Sequence, residues 1–468
     1  MRGRTQAAAL AVFFVTAAAS SAAGGGQTGG GPQPGKQPYA PHLATLGFDT
    51  LGPPATGYNS EIDIDAARKF AYVGSIDFSP GGDGSVKAVD LSNAAKPTMT
   101  NAEPPLCGPG CWGTWDVTVA GNVLAASEQG DPSSNPGVTL MNITNAGNPV
   151  AVSHIDSAEI NSPFGSHTNY LWRDPITART WLFVNGLDFQ SIAVFDVTNP
   201  VVPVKVADYT NIGGPLGYVH DSFVQENAGR VLSYQVGLIG FEILDITRIV
   251  RGGGFGPLTN ADVVGFNYYT GTAFFPGVTF PAAPAVTRPN FAHYAEPTRD
   301  GRVTWVGDEA GCGEPGIVHS FDTTALPLPP AKKALTELGV IVENPDAPMC
   351  SGFLNSLGSH AEPNFHSQFN EYRWTGHNFR IWGNNLLVRG DYGRGVEVYD
   401  ISNPASAGWV ARSHDLNRMV GDANKAAPGR DKTLESYPFI WQATFDGDRI
   451  YASDINQGIY VLDLIEGG

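Results

Sequence analysis

One short unit recurs along the whole chain, and a chain that repeats itself must build its core by packing the copies together. Each copy is an apolar, β-branched stretch that ends at an Asp or Asn and runs into a breaker. The copies are GSVKAVDLSNAAKP (Asp90), GVTLMNITNAGNP (Asn142), SIAVFDVTNPVVP (Asp196), IGFEILDITR (Asp245), GIVHSFDTTALPLP (Asp322), GVEVYDISNP (Asp400) and GIYVLDLIEG (Asp463). From the second copy onward two more strand-like segments precede it. The first is TWDVTV, HTNYLW, HDSFVQ, HYAEPT, HNFRIW or WQATFD, and the second VLAAS, WLFVN, RVLSYQ, RVTWVGD, LLVRGD or RIYASD. A fourth segment follows in some copies, as in VKVADY and GWVARSH. Apolar alternation with turn signals every few residues is the all-β pattern. The one helical pattern is AKKALTELG at 331–339, within an insertion.

Small sheets repeated in this way close radially, so the fold class expected is an all-β, seven-bladed β-propeller with four-stranded antiparallel blades. The last copy stops after its third strand. HLATLGFDTL (42–51) has no opening strand of its own and is expected to supply the missing outer strand of that blade. Such an N-terminal strand closing the last blade ties the two ends of the chain together. Residues 39–468 therefore read as one propeller domain, with insertions at about 251–260 and 327–373.

The N-terminus carries Arg2 and Arg4, then an apolar run from Ala7 to Ala19, then Ser21-Ala22-Ala23. That is the form of a signal peptide over residues 1–23, too short to span a bilayer comfortably. Residues 24–38 read as a Gly/Pro-rich linker. The expected location is secreted or extracytoplasmic, with no transmembrane segment in the mature chain. Four cysteines suit an oxidising compartment: Cys107 and Cys111 share one loop, and Cys312 and Cys350 flank an insertion, so the pairs 107–111 and 312–350 are favoured. With 45 acidic against 28 basic residues the net charge is −17. Such a chain repels phosphate backbones, which argues against nucleic acid as a partner.

The third-strand signature D-[IVL]-[ST]-N-P, as in VFDVTNP and VEVYDISNP, resembles the LVIVD-repeat β-propellers. It is also similar to the related choice-of-anchor B group, whose blades open with His-Asp, His-Asn or His-Gln pairs. GHNFRIWGNNLLVRGDYGRGVEVYDISNP (376–404) carries the resemblance most fully, and it extends over roughly residues 40–465. What it implies is a propeller fold and an exported protein, with no general activity.

Aligned on the turn residue, the opening position of the first strand holds Trp115, His167, His220, His293, His377 and Trp441. Four of the 10 histidines thus share one repeat position, and in a propeller equivalent inner positions form a ring. Antiparallel pairing sets the start of the first strand beside the end of the second, where Glu128, Asp188, Asp308, Glu309, Asp391 and Asp454 stand. Two chemistries fit. Neutral imidazoles from separate blades, oriented by carboxylates, suit one transition metal ion such as Cu, Fe or Zn, and with it an oxidoreductase. Alternatively each His pairs with a neighbouring carboxylate as architecture, and the protein is a binding or scaffold module that takes an extracellular protein or small-molecule ligand on loops at the channel mouth. His360 and His366 in the last insertion are further candidates to cap such a site.

Overall fold

The computed structural model describes residues 42–52, 58–76, 84–104, 106–186, 191–210, 219–237, 240–268, 292–309, 317–341, 376–391, 395–412, 440–455 and 457–465. The first strand, β1 (His42–Asp49), is followed by a series of antiparallel meanders. These comprise β2–β5 (Tyr58–Asp65, Phe70–Ile76, Val86–Asp90, Thr98–Glu103) and β6–β9 (Cys111–Ala120, Val123–Gly130, Gly137–Asn142, Val150–Asp156). Next come β10–β13 (Ser166–Arg173, Thr180–Gly186, Ser191–Asp196, Val204–Thr210) and β14–β17 (Asp221–Asn227, Arg230–Gly237, Gly240–Asp245, Val263–Tyr268). A short helix, α1 (Thr247–Val250), precedes β17. Then follow β18–β20 (Ala292–Pro297, Val303–Asp308, Val318–Asp322), β21 (Lys333–Ala334) and β22 (Glu337–Ile341). The last are β23–β26 (Gly376–Trp382, Leu386–Asp391, Gly395–Asp400, Gly408–Arg412) and β27–β29 (Ile440–Asp446, Arg449–Asp454, Gly458–Ile465).

Within each meander, successive strands pair in chain order, and a single bridge between Ile76 and Gly113 joins β3 to β6. The first strands contact one another in a closed series: β2 meets β6, β6 meets β10, and so on through β14, β18, β23 and β27 back to β2. Sheets radiating from a closed ring of inner strands make a β-propeller. Its core is accordingly spread between sheets. Tyr72, Val86 and Ala88 of one sheet pack on Val117, Leu124 and Ala126 of the next, and Ile62, Val73 and Val89 pack on Tyr451, Ile459 and Val461. Second strands such as β7 are buried along their whole length, polar residues included, whereas the outer strand β5 alternates exposed and half-buried.

The signature Asp has a geometric reason. Asp90, Asp196, Asp245, Asp322 and Asp400, and Asn142 likewise, accept a hydrogen bond on the side-chain oxygen from the backbone N–H two residues on, at 2.8–3.0 Å. This Asx turn ends the third strand and starts the return, so D-x-[ST] recurs wherever that turn does.

The one helical candidate, 331–339, is not a helix. Lys333–Ala334 and Glu337–Ile341 are strands, and β22 pairs with β20 as the fourth strand of its sheet. Leu335 and Ile341 bury against that core, so tertiary packing outweighs the local helical pattern. Part of the segment expected as an insertion is therefore sheet, while 342–373 lies outside the described residues.

The expected closure strand pairs as β1 with β29, from His42 opposite Ile465 to Asp49 opposite Ile459. Leu43 is fully buried among Val398, Tyr460 and Leu462, whereas Leu46 on the same strand is 37% exposed. Leu43→Ala should cost about 2–5 kcal/mol in equilibrium urea unfolding, and Leu46→Ala less than about 1 kcal/mol. Equal effects would show that β1 does not seal the ring.

Candidate functional site at the mouth of the channel

Most first strands begin with a departure from regular pairing. In β10, β18 and β27 one residue is extra relative to the second strand, His167, His293 and Trp441, and β6 carries two, Trp112 and Trp115. In β23 the extra residue falls between Gly376 and Phe379, where His377 and Asn378 stand. His220 precedes β14, and its N–H bonds the carbonyl of Val236 at 2.7 Å. A bulge re-aims a side chain, and here it does so at the same place in sheet after sheet.

The result is a closed aromatic ring. Ring centroids are 5.9 Å apart for Trp115–His167, 4.6 Å for His167–His220, 4.1 Å for His220–His293 and 4.2 Å for His293–His377. His377–Trp441 at 4.6 Å and Trp441–Trp115 at 6.1 Å complete it. The Nε2 atoms of His167 and His220 are 2.9 Å apart. Hydrogen bonds fix the rings: Gln129 meets His167 Nδ1, His220 Nδ1 lies 3.2 Å from the carbonyl of His293, and His377 Nδ1 lies 2.8 Å from that of Trp441. A carbonyl only accepts, so Nδ1 carries the proton in His220 and His377 and the lone pair lies on Nε2.

The acidic residues nominated from the sequence are placed differently from one another. Glu309 reaches His293 Nε2 at 3.5 Å. Asp308 pairs with His319 Nε2 at 3.1 Å, and Asp391 with Arg389 at 3.4 Å. Glu128 accepts from Thr139 and lies 3.5 Å from His154, and Asp454 accepts from the Gln457 N–H at 3.1 Å. Asp188, Cys312, Cys350, His360 and His366 lie outside the described residues. The disulfide Cys107–Cys111 is present at the entry to β6, with Cys111 Sγ 3.6 Å from the carbonyl of Gln129, the residue that holds His167.

Below the ring lies a layer that the sequence reading missed. Glu61, Asp116 and Asp221 come from three different sheets, yet they are buried and feel one another's charge. Asn378 donates to Glu61 at 2.9 Å. The available signal was the residue following the ring position, where Asp116, Asp221 and Asn378 repeat. Deeper still, Arg380 pairs with Glu296 at 3.0 Å, and Tyr294 donates to the same carboxylate at 3.1 Å.

Burial dominates the electrostatics of both layers. It lowers His167 to about 4 and His377 to about 3, and holds His220 and His293 well below their ordinary value, helped by the neighbouring imidazoles. The four imidazoles are neutral at physiological pH. Among the acids, burial raises Asp116 to about 7, partly offset by the Asn169 N–H and reinforced by Asp63. Burial and mutual repulsion raise Glu61 and Asp221 as well. Outside the ring, burial works against the charged form of His319, but Asp308 and Glu337 raise it to about 9.

The acid layer has a testable sign. Folded Asp116 keeps its proton to about pH 7, whereas an unfolded carboxyl ionises near 4. The folded state binds more protons between those values, so this contribution to stability is full below about pH 4 and is lost as pH rises through 7. Asp116→Asn keeps the acceptor and removes the ionisation. It should raise the melting temperature at pH 8 more than at pH 5; an equal or opposite effect would place Asp116 in a solvated site.

No family model matches this chain, and no curated protein matches it. Solved structures that resemble it include the C-terminal WD40 domain of Sif2, at 11% identity and a TM-score of 0.44, covering 92% of this chain and all of that one. The β-propeller domain of Cps50 (Swd1) from Myceliophteria thermophila is similar at 10% identity and a TM-score of 0.46, covering 88% and 98%. The computationally designed protein Ika8 is similar at 10% identity and a TM-score of 0.43, covering 90% and 99%.

Proposed function

We propose that this chain is an exported, LVIVD-like β-propeller of seven four-stranded blades that acts as a binding module through loops at the ring-bearing end of its channel. One observation carries the reading: the two ends of the channel are unequal. At the ring end, fourth strands connect to the next first strands, and three of these connections are long, spanning 269–291, 342–375 and 413–439. At the opposite end, first-to-second hairpins are tight, as at 121–122, 228–229 and 447–448. The segment 246–262 holding α1 is the longest connection at that end. Loops on a rigid scaffold are where recognition usually resides, and the longest connections here leave from and return to the ring end.

Export is supported by the N-terminal Arg-flanked apolar run and by the Cys107–Cys111 disulfide, which persists in oxidising compartments. Among the described residues no helix is long and apolar enough to cross a membrane.

Replacing 269–291, 342–375 and 413–439 by short Gly-Ser connectors tests the reading. The expected variant melts within a few degrees of the parent but no longer retains the partner that the parent recovers from the envelope or extracellular fraction. Equivalent replacements at 121–122 and 447–448 should retain it. Recovery of the same partner by the loop-replaced chain would refute binding at the ring end. Mass measurement of the mature N-terminus checks export, with removal of residues 1–23 expected.

A further inference from the structure

We propose that the aromatic ring is a binding site for one divalent first-row transition metal ion, held by His293, His377 and Glu309, with His220 as the adjoining imidazole. The proposal does not depend on the loop-binding reading, because none of these residues lies in the connections at issue there.

The donor set comes first. His293, His377 and Glu309 each place a ligating atom within 4.8 Å of the others. They come from two neighbouring sheets: His293 opens β18, Glu309 follows β19 of the same sheet, and His377 stands at the start of β23. Two imidazoles and a carboxylate make a donor set used for zinc and for non-haem ferrous ions. Ligands about 2.1 Å from one ion in a tetrahedral array stand roughly 3.4 Å apart. The closure required is therefore up to about 1.4 Å. His293 Nε2 and Glu309 already stand 3.5 Å apart, so the closure falls on the pairs with His377; Glu309, whose side chain is 20% exposed, follows the end of β19 and can follow the ion.

The orientation of the rings points the same way. His377 donates Nδ1–H to the carbonyl of Trp441, and His220 donates Nδ1–H to that of His293. Metal-binding histidines characteristically spend their second nitrogen in this manner, which fixes the tautomer and directs the other lone pair at the ion. In His377 this leaves the Nε2 lone pair for the ion, whereas in His220 the Nε2 lone pair lies 2.9 Å from His167 Nε2 and accepts from it. His220, His293 and His377 are only 2–4% exposed, so an ion held among them is shielded from bulk water.

Trp115 and Trp441 complete the ring on the remaining side with bulky apolar surface and no ligating atom. A metal there has imidazoles and a carboxylate on one flank and an indole wall on the other. That arrangement fixes its position within the ring.

The test uses the full mature chain, purified without a metal-affinity tag, stripped with chelator, equilibrated with Zn²⁺ or, anaerobically, with Fe²⁺, and desalted. One of the two ions is expected to remain at one per chain by elemental analysis. Glu309→Gln, His293→Ala and His377→Ala should each weaken retention at least tenfold. His154→Ala, which removes an imidazole bonded to the Asn135 carbonyl away from the ring, should leave retention unchanged. Thermal melting of the stripped proteins guards against misfolding, and Glu309→Gln keeps the test decisive if an Ala variant fails to fold. Retention below about one ion in five chains, or retention unaffected by Glu309→Gln and His377→Ala, would overturn the proposal.

Discussion

The constraint on which this molecule rests is the crowding of its inner strands around one channel. Sheets that radiate from an axis have room at their outer strands and very little at their first. The chain meets this by adding a residue at the start of first strand after first strand, and the added residue is aromatic: Trp115, His167, His293 and Trp441 in the plain cases. His377 reaches the same ring by the same route, and His220 from the residue before β14, whose N–H bonds the Val236 carbonyl. A bulge strengthens local twist as well as turning a side chain, so one device both fits the strand to the axis and lines the mouth. The wedge-shaped cores between sheets and the β1–β29 pairing hold that geometry from outside.

Given the ring, the electrostatics follow from depth. The groups named here are buried by the surrounding strands, and the charged form of a buried group is penalised. Imidazoles become neutral bases, and the carboxyls beneath become weak acids. Further down, Arg380 and Glu296 pair at 3.0 Å, which offsets part of the cost of burying each. The protein thus stacks neutral donors over groups that ionise with difficulty. Its large negative charge is a property of the whole chain, whereas the channel mouth is governed by local burial.

Much of this was legible in the sequence. The D-x-[ST] signature marked the third strands because an Asx turn physically requires an acceptor at that position. The shared position of His167, His220, His293 and His377 was readable from the same register. Three things were not. The fourth strand of β18–β22 hid in ALTELGVI because edge strands are short and half-exposed, and a helical period was as good a match. The acid layer was missed because a bulge upsets the two-residue alternation, so adjacent positions such as Trp115 and Asp116 both serve the channel. The partners of Asp308 and Asp391 were also beyond reach. Antiparallel pairing puts both near the mouth, but His319 and Arg389 on neighbouring positions pair with them there.

The central claim is that repeat-equivalent imidazoles converge into one neutral, metal-competent ring. Diffraction from crystals equilibrated with zinc and recorded at the zinc absorption edge tests it most directly. The account predicts one strong anomalous peak inside the channel, bounded by His293, His377 and Glu309, with neighbouring imidazole centroids about as close as the 4.1–4.6 Å found here. Histidines splayed apart around an open channel, or anomalous signal confined to the outer surface, would contradict it.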